Sequence, residues 1–288
     1  MFTDRYAKLI GYDPIDPRDF DPAMRELEVF FRKQGLINTP VQHRFGILPA
    51  CENPHSIAQF TYGGFVFPMR QTGQMDLEKE LLTRLRYSSG CYCISHSYRE
   101  ESDPIPGRHD LSFPMFEFEL RGDMEVLFEK EKELLEHLGF GSQDSYAVVS
   151  YAQMAERYGV AELTAEHEQR MWKDLGPVVF LTHFPESTSP FWNMKRDENG
   201  LAKKIDVLLY GIETIGSAER STDTVDMRNR FLSISNGEYA RRLFANFGRG
   251  RVLEELDEFL SLVFFPRCGG GIGMTRMIRA LKLAKRLF

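Results

Sequence analysis

The sequence is poor in cysteine, in long apolar runs and in net positive charge. Its four cysteines, at positions 51, 91, 93 and 268, make one C-x-C and no paired C-x-x-C sets. That spacing excludes a zinc ribbon and a disulfide framework, and a reducing compartment, the cytoplasm, is the expectation. No apolar stretch approaches the roughly 20 residues that span a bilayer, so a membrane protein is not expected. The opening MFTDRYAKLIGYDP puts acids and polar groups where a secretory leader needs an apolar core. Lys and Arg total 36 against 42 Asp and Glu, a formal charge of -6 with a pI near 5.7. A dominant nucleic-acid surface is therefore not expected, because gripping a phosphate backbone needs a basic face. Internal repeats, low-complexity stretches and linkers are also missing, which favours one domain over 1–288. What is present is 42% hydrophobic and 12% aromatic residues across 288 positions, ample for a packed core.

Periodicity divides the chain into elements. DPAMRELEVFFRKQG has Asp21 placed to cap, Pro22 at the first helical position and Gly35 at the end, which predicts a helix. LINTPV reads as a strand, FTYGGFVFPM as a hairpin, and MDLEKELLTRLR returns to helical period. CYCISHSYRE and LSFPMFEFEL alternate like two antiparallel strands, the second with Phe116, Phe118 and Leu120 on one face and Glu117 and Glu119 on the other. DMEVLFEKEKELLEHLGFG predicts an acidic helix stopped by Gly139, and Ser150 with Gln153 a capping box for a helix through Tyr158. PVVFLTHF is a buried strand, KKIDVLLYGIETIGS two strands joined at Gly211, and helices are expected near 237–247, 252–263 and 274–288. Strands and helices segregate, so the fold class is α+β, an antiparallel sheet flanked by helices, with 139–178 as a possible helical insertion.

Three stretches carry candidate chemistry. YREESDPIPGRHDLSF, residues 98–113, sets Arg99, Glu100 and Glu101 before a turn, Arg108 and His109 after it, and an aromatic at the end. A surface hairpin or a loop around a polyphosphate both suit it. RCGGGIGMTR has the three glycines 269–271 ahead of a helix whose first turn carries Arg276. Met274 occupies the place a dinucleotide fingerprint starting at 269 needs for glycine, so that fingerprint is excluded. The bland reading is a glycine turn that lets a helix pack close. In KKIDVLLYGIETIGSAERS, Asp206 and Glu213 lie on two strands and Arg220 follows. Buried carboxylates need a partner, either an ion pair or a hard cation such as magnesium.

Together these parts resemble the catalytic domain of class II aminoacyl-tRNA synthetases, specifically the aspartyl/asparaginyl subgroup and the stand-alone archaeal asparagine synthetase that is similar to it. GLINTP (35–40) after a helix resembles motif 1, YREE with Arg108, His109 and Phe113 resembles motif 2, and GGGIGMTR resembles motif 3. TGQMDLE (72–78) is similar to the asparaginyl amino-acid loop, and SPFWNM with DVLLYGIETIGSAER to the strands that complete the site. The resemblance implies ATP and Mg2+ as cofactors and a small amino acid, aspartate- or asparagine-like, as substrate. It implies that Arg99 bridges the α-phosphate and the substrate carboxylate, Glu101 accepts from the adenine amino group, and Phe113 and Arg276 sandwich the adenine. Arg108 and His109 would meet the γ-phosphate, Asp206 and Glu213 would hold magnesium, and Arg220 would sit by the leaving pyrophosphate. Gln74 and Glu78 match the pocket loop. Catalysis would rest on positioning and charge rather than on a protein nucleophile.

Ser112 and Thr275 stand where the family pattern has acids, and Gly216 where a serine often helps the metal. The arginine that clamps the substrate side chain is absent from SLVFFP (261–266), which leaves Arg267 as the nearest candidate. About twenty residues precede motif 1, too few for an anticodon-binding barrel, so the expected reaction is tRNA-independent transfer of the adenylated acid to ammonia or an amine. Transfer to a tRNA, carrier or protein is the alternative, and a non-catalytic ATP-binding regulator a third. Motif 1 implies a homodimer.

Overall fold

The computed structural model describes residues 15–41, 46–48, 53–100 and 110–287. Helix α1 spans Pro17–Lys33, five residues longer at its start than the sequence pattern implied. The Asp-Pro pair that starts it is Asp16-Pro17, not Asp21-Pro22: the Asp16 carboxylate accepts from the Arg18 N–H at 2.9 Å, and Pro22 lies within the helix. Both pairs carry the same start signal, and burial of Asp19, Ala23, Leu27 and Phe31 on one face selects the longer helix.

Strand β1 (Ile37–Asn38) follows, then a separate hairpin of β2 (Gln59–Tyr62) and β3 (Phe65–Pro68). Helix α2 (Gln74–Leu82) leads into β4 (Gly90–Tyr98) and β5 (Ser112–Arg121), which pair antiparallel. Next come α3 (Met124–His137), β6 (Ala147–Ser150), α4 (Tyr151–Tyr158) and α5 (Ala165–Leu175). The Ser150–Gln153 capping box of α4 is formed. The stretch read as a helical insertion thus also supplies a strand, β6, which pairs parallel with β7 (Val178–Phe184). Strands β8 (Ala202–Leu209) and β9 (Ile212–Arg220) form a hairpin turned at Tyr210 and Gly211, both at positive φ. Helices α6 (Thr224–Ser233), α7 (Glu238–Phe247) and α8 (Arg249–Leu260) precede β10 (Arg267–Gly273) and α9 (Met274–Leu283).

Among the described residues the main sheet has eight strands in the order β1-β4-β5-β10-β9-β8-β7-β6, antiparallel except at its two ends. The fold class is the expected α+β. The glycine stretch expected to be a turn is a central strand, hydrogen-bonded to β5 on one side and β9 on the other. One face of the sheet buries Phe116, Phe118, Ile205, Ile215 and Ile272 against α1, α3 and α9. Helices α6 to α8 form a second core around Trp192 and Phe231. Among the described residues no helix is long and apolar enough to cross a membrane.

Candidate active site

The sheet face opposite the α1–α3–α9 core carries an open cavity of about 460 Å³. Side-chain alternation builds it: residues two apart on a strand share a face, so the strands that turn Phe116 and Phe118 to the core turn Met115, Glu117 and Glu119 the other way. Gln74, Glu78, Arg99, Phe113, Glu213, Arg220 and Arg276 all line it, although they come from four elements and the loop after β4.

At the α2 end the floor is a buried charge network. Arg267 and Glu78 are both fully buried, and Arg267 donates from Nε at 2.9 Å and Nη2 at 2.6 Å to Glu78 Oε2. The third arm of Arg267 reaches the Ser221 carbonyl at 3.0 Å. Arg267 was the nearest candidate for a substrate clamp, but it lies behind Glu78, occupied by protein groups. Arg220, expected beside a leaving pyrophosphate, is 4% exposed and lies on this floor. It donates to the Gly269 carbonyl at 3.0 Å and stands between Glu119 at 3.5 Å and Glu78 at 3.7 Å. Burial works to lower the Arg220 pKa, but the two carboxylates raise it, so the guanidinium stays charged. Burial raises the Glu119 pKa against the opposing pull of Arg220. Asn193, from the segment between β7 and β8, donates to Glu78 Oε1 at 2.7 Å and leaves its own Oδ1 buried without a hydrogen bond. Glu117 accepts from the Gly73 N–H with both oxygens, at 2.9 and 2.8 Å, and so anchors the loop before α2.

The other end joins the hairpin to the carboxylates. The Arg99 guanidinium is 5.7 Å from the centre of the Phe113 ring, and its Nε donates to Ser97 Oγ at 3.3 Å. Arg276, in the first turn of α9, donates to the Glu213 carbonyl at 2.8 Å and stands 3.7 Å from its carboxylate. Asp206 takes the Lys204 ammonium on Oδ2 at 2.7 Å, while Oδ1 is buried without a hydrogen bond. Burial raises its pKa, Lys204 opposes that, and Glu213 adds to it. Gly216 keeps the two carboxylates open to one hollow, since a Cβ there would lie 2.9 Å from Glu213 Oε1 and 3.7 Å from Asp206 Oδ1.

Glu101, Arg108 and His109 lie outside the described residues. Glu119, Asn193 and Lys204 were not singled out in the sequence. For Glu119 the signal was present, as a glutamate alternating with core phenylalanines; for Lys204 it was the two-residue spacing from Asp206 on one strand.

The family of tRNA synthetases class II (D, K and N) matches residues 75–286. A lysine–tRNA ligase from Synechococcus sp. (strain RCC307) is 27% identical over 157 residues, 53% of this chain and 30% of that protein. The lysylphosphatidylglycerol biosynthesis bifunctional protein LysX of Gordonia bronchialis is 30% identical over 103 residues, 35% of this chain and 8% of its own length. This chain therefore spans under a third of those relatives. In fold it is similar to asparaginyl-tRNA synthetase from Pyrococcus horikoshii complexed with asparaginyl-adenylate, with a TM-score of 0.73 at 19% identity, covering 92% of this chain and 65% of that one. The Entamoeba histolytica asparaginyl-tRNA synthetase with asparaginyl-adenylate gives a TM-score of 0.69 at 15% identity, covering 98% and 72%. With more than two thirds of its length matched by the family, the chain belongs to the class II tRNA synthetases of the D, K and N type.

Proposed function

We propose that the chain binds ATP and an amino acid in this cavity and joins them as an aminoacyl-adenylate, releasing pyrophosphate. The observation that carries the reading is the meeting of Arg99, Phe113, Glu213 and Arg276 with Gln74 and Glu78 around one cavity. A carboxylate oxygen of the amino acid attacks the α-phosphorus and the bond to pyrophosphate breaks. Arg99 holds the carboxylate and the α-phosphate in line, since its planar fork can donate to both at once. Phe113 and Arg276 flank the adenine. Glu101, Arg108 and His109 are assigned to the adenine amino group and the γ-phosphate by the motif resemblance alone.

A hard divalent cation such as Mg2+ fits the oxygens at Asp206 and Glu213: one Asp206 oxygen is buried and unsatisfied, and Gly216 leaves room beside it. Such an ion supplies charge neutralisation to phosphates. On the floor, Gln74, Glu78 and Arg220 offer a donor and acceptor set that suits a short polar side chain, aspartate- or asparagine-like. Arg220 takes over the substrate contact first given to Arg267, because Arg267 is bonded to Glu78.

For the acceptor, the relatives favour acyl transfer over amidation. They are named for ligation to tRNA and for lysylphosphatidylglycerol synthesis, so we assign the adenylate to transfer onto a tRNA, carrier or similar acceptor ahead of ammonia. A homodimer is supported by the motif 1 resemblance and by the edge strand β1, where Ile37 is 43% exposed. Amino-acid-dependent exchange of pyrophosphate into ATP tests the central reading. Arg99→Ala should abolish exchange while melting like the parent; exchange at parental rate by that variant would overturn the assignment.

A further inference from the structure

We infer that Lys204 is a phosphate-binding residue of this site, a fixed cation beside Asp206 and Glu213 that lets the triphosphate bind with one fewer divalent ion; the inference rests on the ATP reading above. Lys204 and Asp206 are two apart on β8 and so share the face that looks into the cavity. The ammonium is 2.7 Å from Asp206 Oδ2 and 4.1 Å from the centre of the Phe184 ring. That ring is brought there by a slip in register: Thr182 pairs with Ile205, yet the next pair is Phe184 with Ala202. His183, between them, has a φ of 59°, a conformation that a non-glycine residue keeps only where its surroundings impose it. The amine is therefore held by a carboxylate and an aromatic face, on a strand rather than a loop.

A plain surface ion pair is the competing account, and such pairs contribute little to stability. It leaves the location unexplained. The Lys204 side chain is only 22% exposed and forms part of the wall of the same cavity as Glu213 and Arg276. Lys204 holds one Asp206 oxygen and leaves the other, Oδ1, buried without a hydrogen bond. Asp206 thus has a single oxygen to offer a cation. Among the described residues no group of three or more His, Cys, Asp or Glu could hold an ion. The donor set is small for a divalent ion, and the site has a protein ammonium next to it. An ammonium binds phosphate oxygens as a compact point charge and can turn from Asp206 toward them without leaving Phe184.

The test is ATP binding measured by calorimetry without amino acid, in EDTA and across a magnesium series, for the parent, Lys204→Met and Lys204→Arg. Methionine keeps the stem over Phe184 and removes the charge. In EDTA, Lys204→Met should bind ATP about tenfold more weakly, the scale of one charge-assisted contact. The slope of log Kd against log free magnesium should steepen by about one ion, following linkage. Lys204→Arg should restore both. If Lys204→Met melts with the parent and shows unchanged EDTA affinity and slope, the role of Lys204 is overturned while the ATP reading stands. Failure of the parent to bind ATP at any magnesium concentration overturns the ATP reading itself. Should Lys204→Met not fold, Lys204→Gln carries the same comparison.

Discussion

Replacing Arg267 by methionine would remove one half of a pair that is 0% exposed on both sides. Three hydrogen bonds go with it: two to Glu78 Oε2, at 2.9 and 2.6 Å, and one to the Ser221 carbonyl at 3.0 Å. Glu78 would keep only Asn193 at 2.7 Å and the more distant Arg220 at 3.7 Å, both on Oε1. A carboxylate left buried after its partner is removed costs about 3 to 5 kcal/mol, and the remaining Asn193 contact puts this case near 3. Set against a typical total of about 5 to 15 kcal/mol, that is a large share. Urea unfolding should show it as a midpoint lowered by ~1 M for a slope of ~3 kcal/mol per M. Adding Glu78→Gln should recover most of the loss, because no charge is then left alone. The reasoning fails if Arg267→Met unfolds at the parental urea concentration while the Michaelis constant for the amino acid rises. In that case the guanidinium would serve the substrate and not Glu78.

Two further outcomes follow from the same structure. Glu131, on α3, is buried, and burial pushes its pKa up to about 8 against the opposing pull of the Ser217 hydroxyl. The folded state therefore holds this proton after the unfolded chain has released it, so stability falls as pH rises from about 4.5 to 8. Relative to the parent, Glu131→Gln should gain about 2 to 3 kcal/mol between pH 6 and pH 8, read from urea midpoints; a difference independent of pH would exclude the neutral carboxyl. Gly216→Ala sets a methyl group 2.9 Å from Glu213 Oε1, at the movable end of that side chain. It should weaken magnesium-dependent ATP binding about tenfold with little change in melting temperature; unchanged binding would remove Glu213 from the cation site.

Much of the architecture was legible because its signals are local. The alternation in LSFPMFEFEL is β5, with its two glutamates turned away from the core, and the Ser150–Gln153 box is formed as read. Two errors share one cause. The start of α1 was misplaced because DPRDFDP carries the Asp-Pro signal twice, and only tertiary burial chooses between them. RCGGGIG was read as a turn because glycine has no strand propensity, whereas its place between β5 and β9 is dictated by neighbours far along the chain. The same limit applies to the site. Arg99, Phe113, Glu213 and Arg276, named on the motif resemblance, line one cavity. The Glu78–Arg267 pair was not legible, since its partners are 189 residues apart and meet only through sheet register. Lys204 escaped notice because a lysine two before an aspartate is ordinary in sequence, and only the strand puts both on the cavity side.

The strand with almost no side chains also fixes what can stand beside it. A methyl group on Gly269 would strike Glu119 and the Phe118 carbonyl, one on Gly270 would strike Ser217 on the helix side, and one on Gly271 would strike Met115. Gly269 and Gly271 therefore make room on the pocket-floor side and Gly270 on the side of the packed helices. A methyl group at Gly269 or Gly270 would also meet backbone of the neighbouring strand, whereas at Gly271 it meets at close range only the movable end of Met115, so the first two positions resist substitution more than the third.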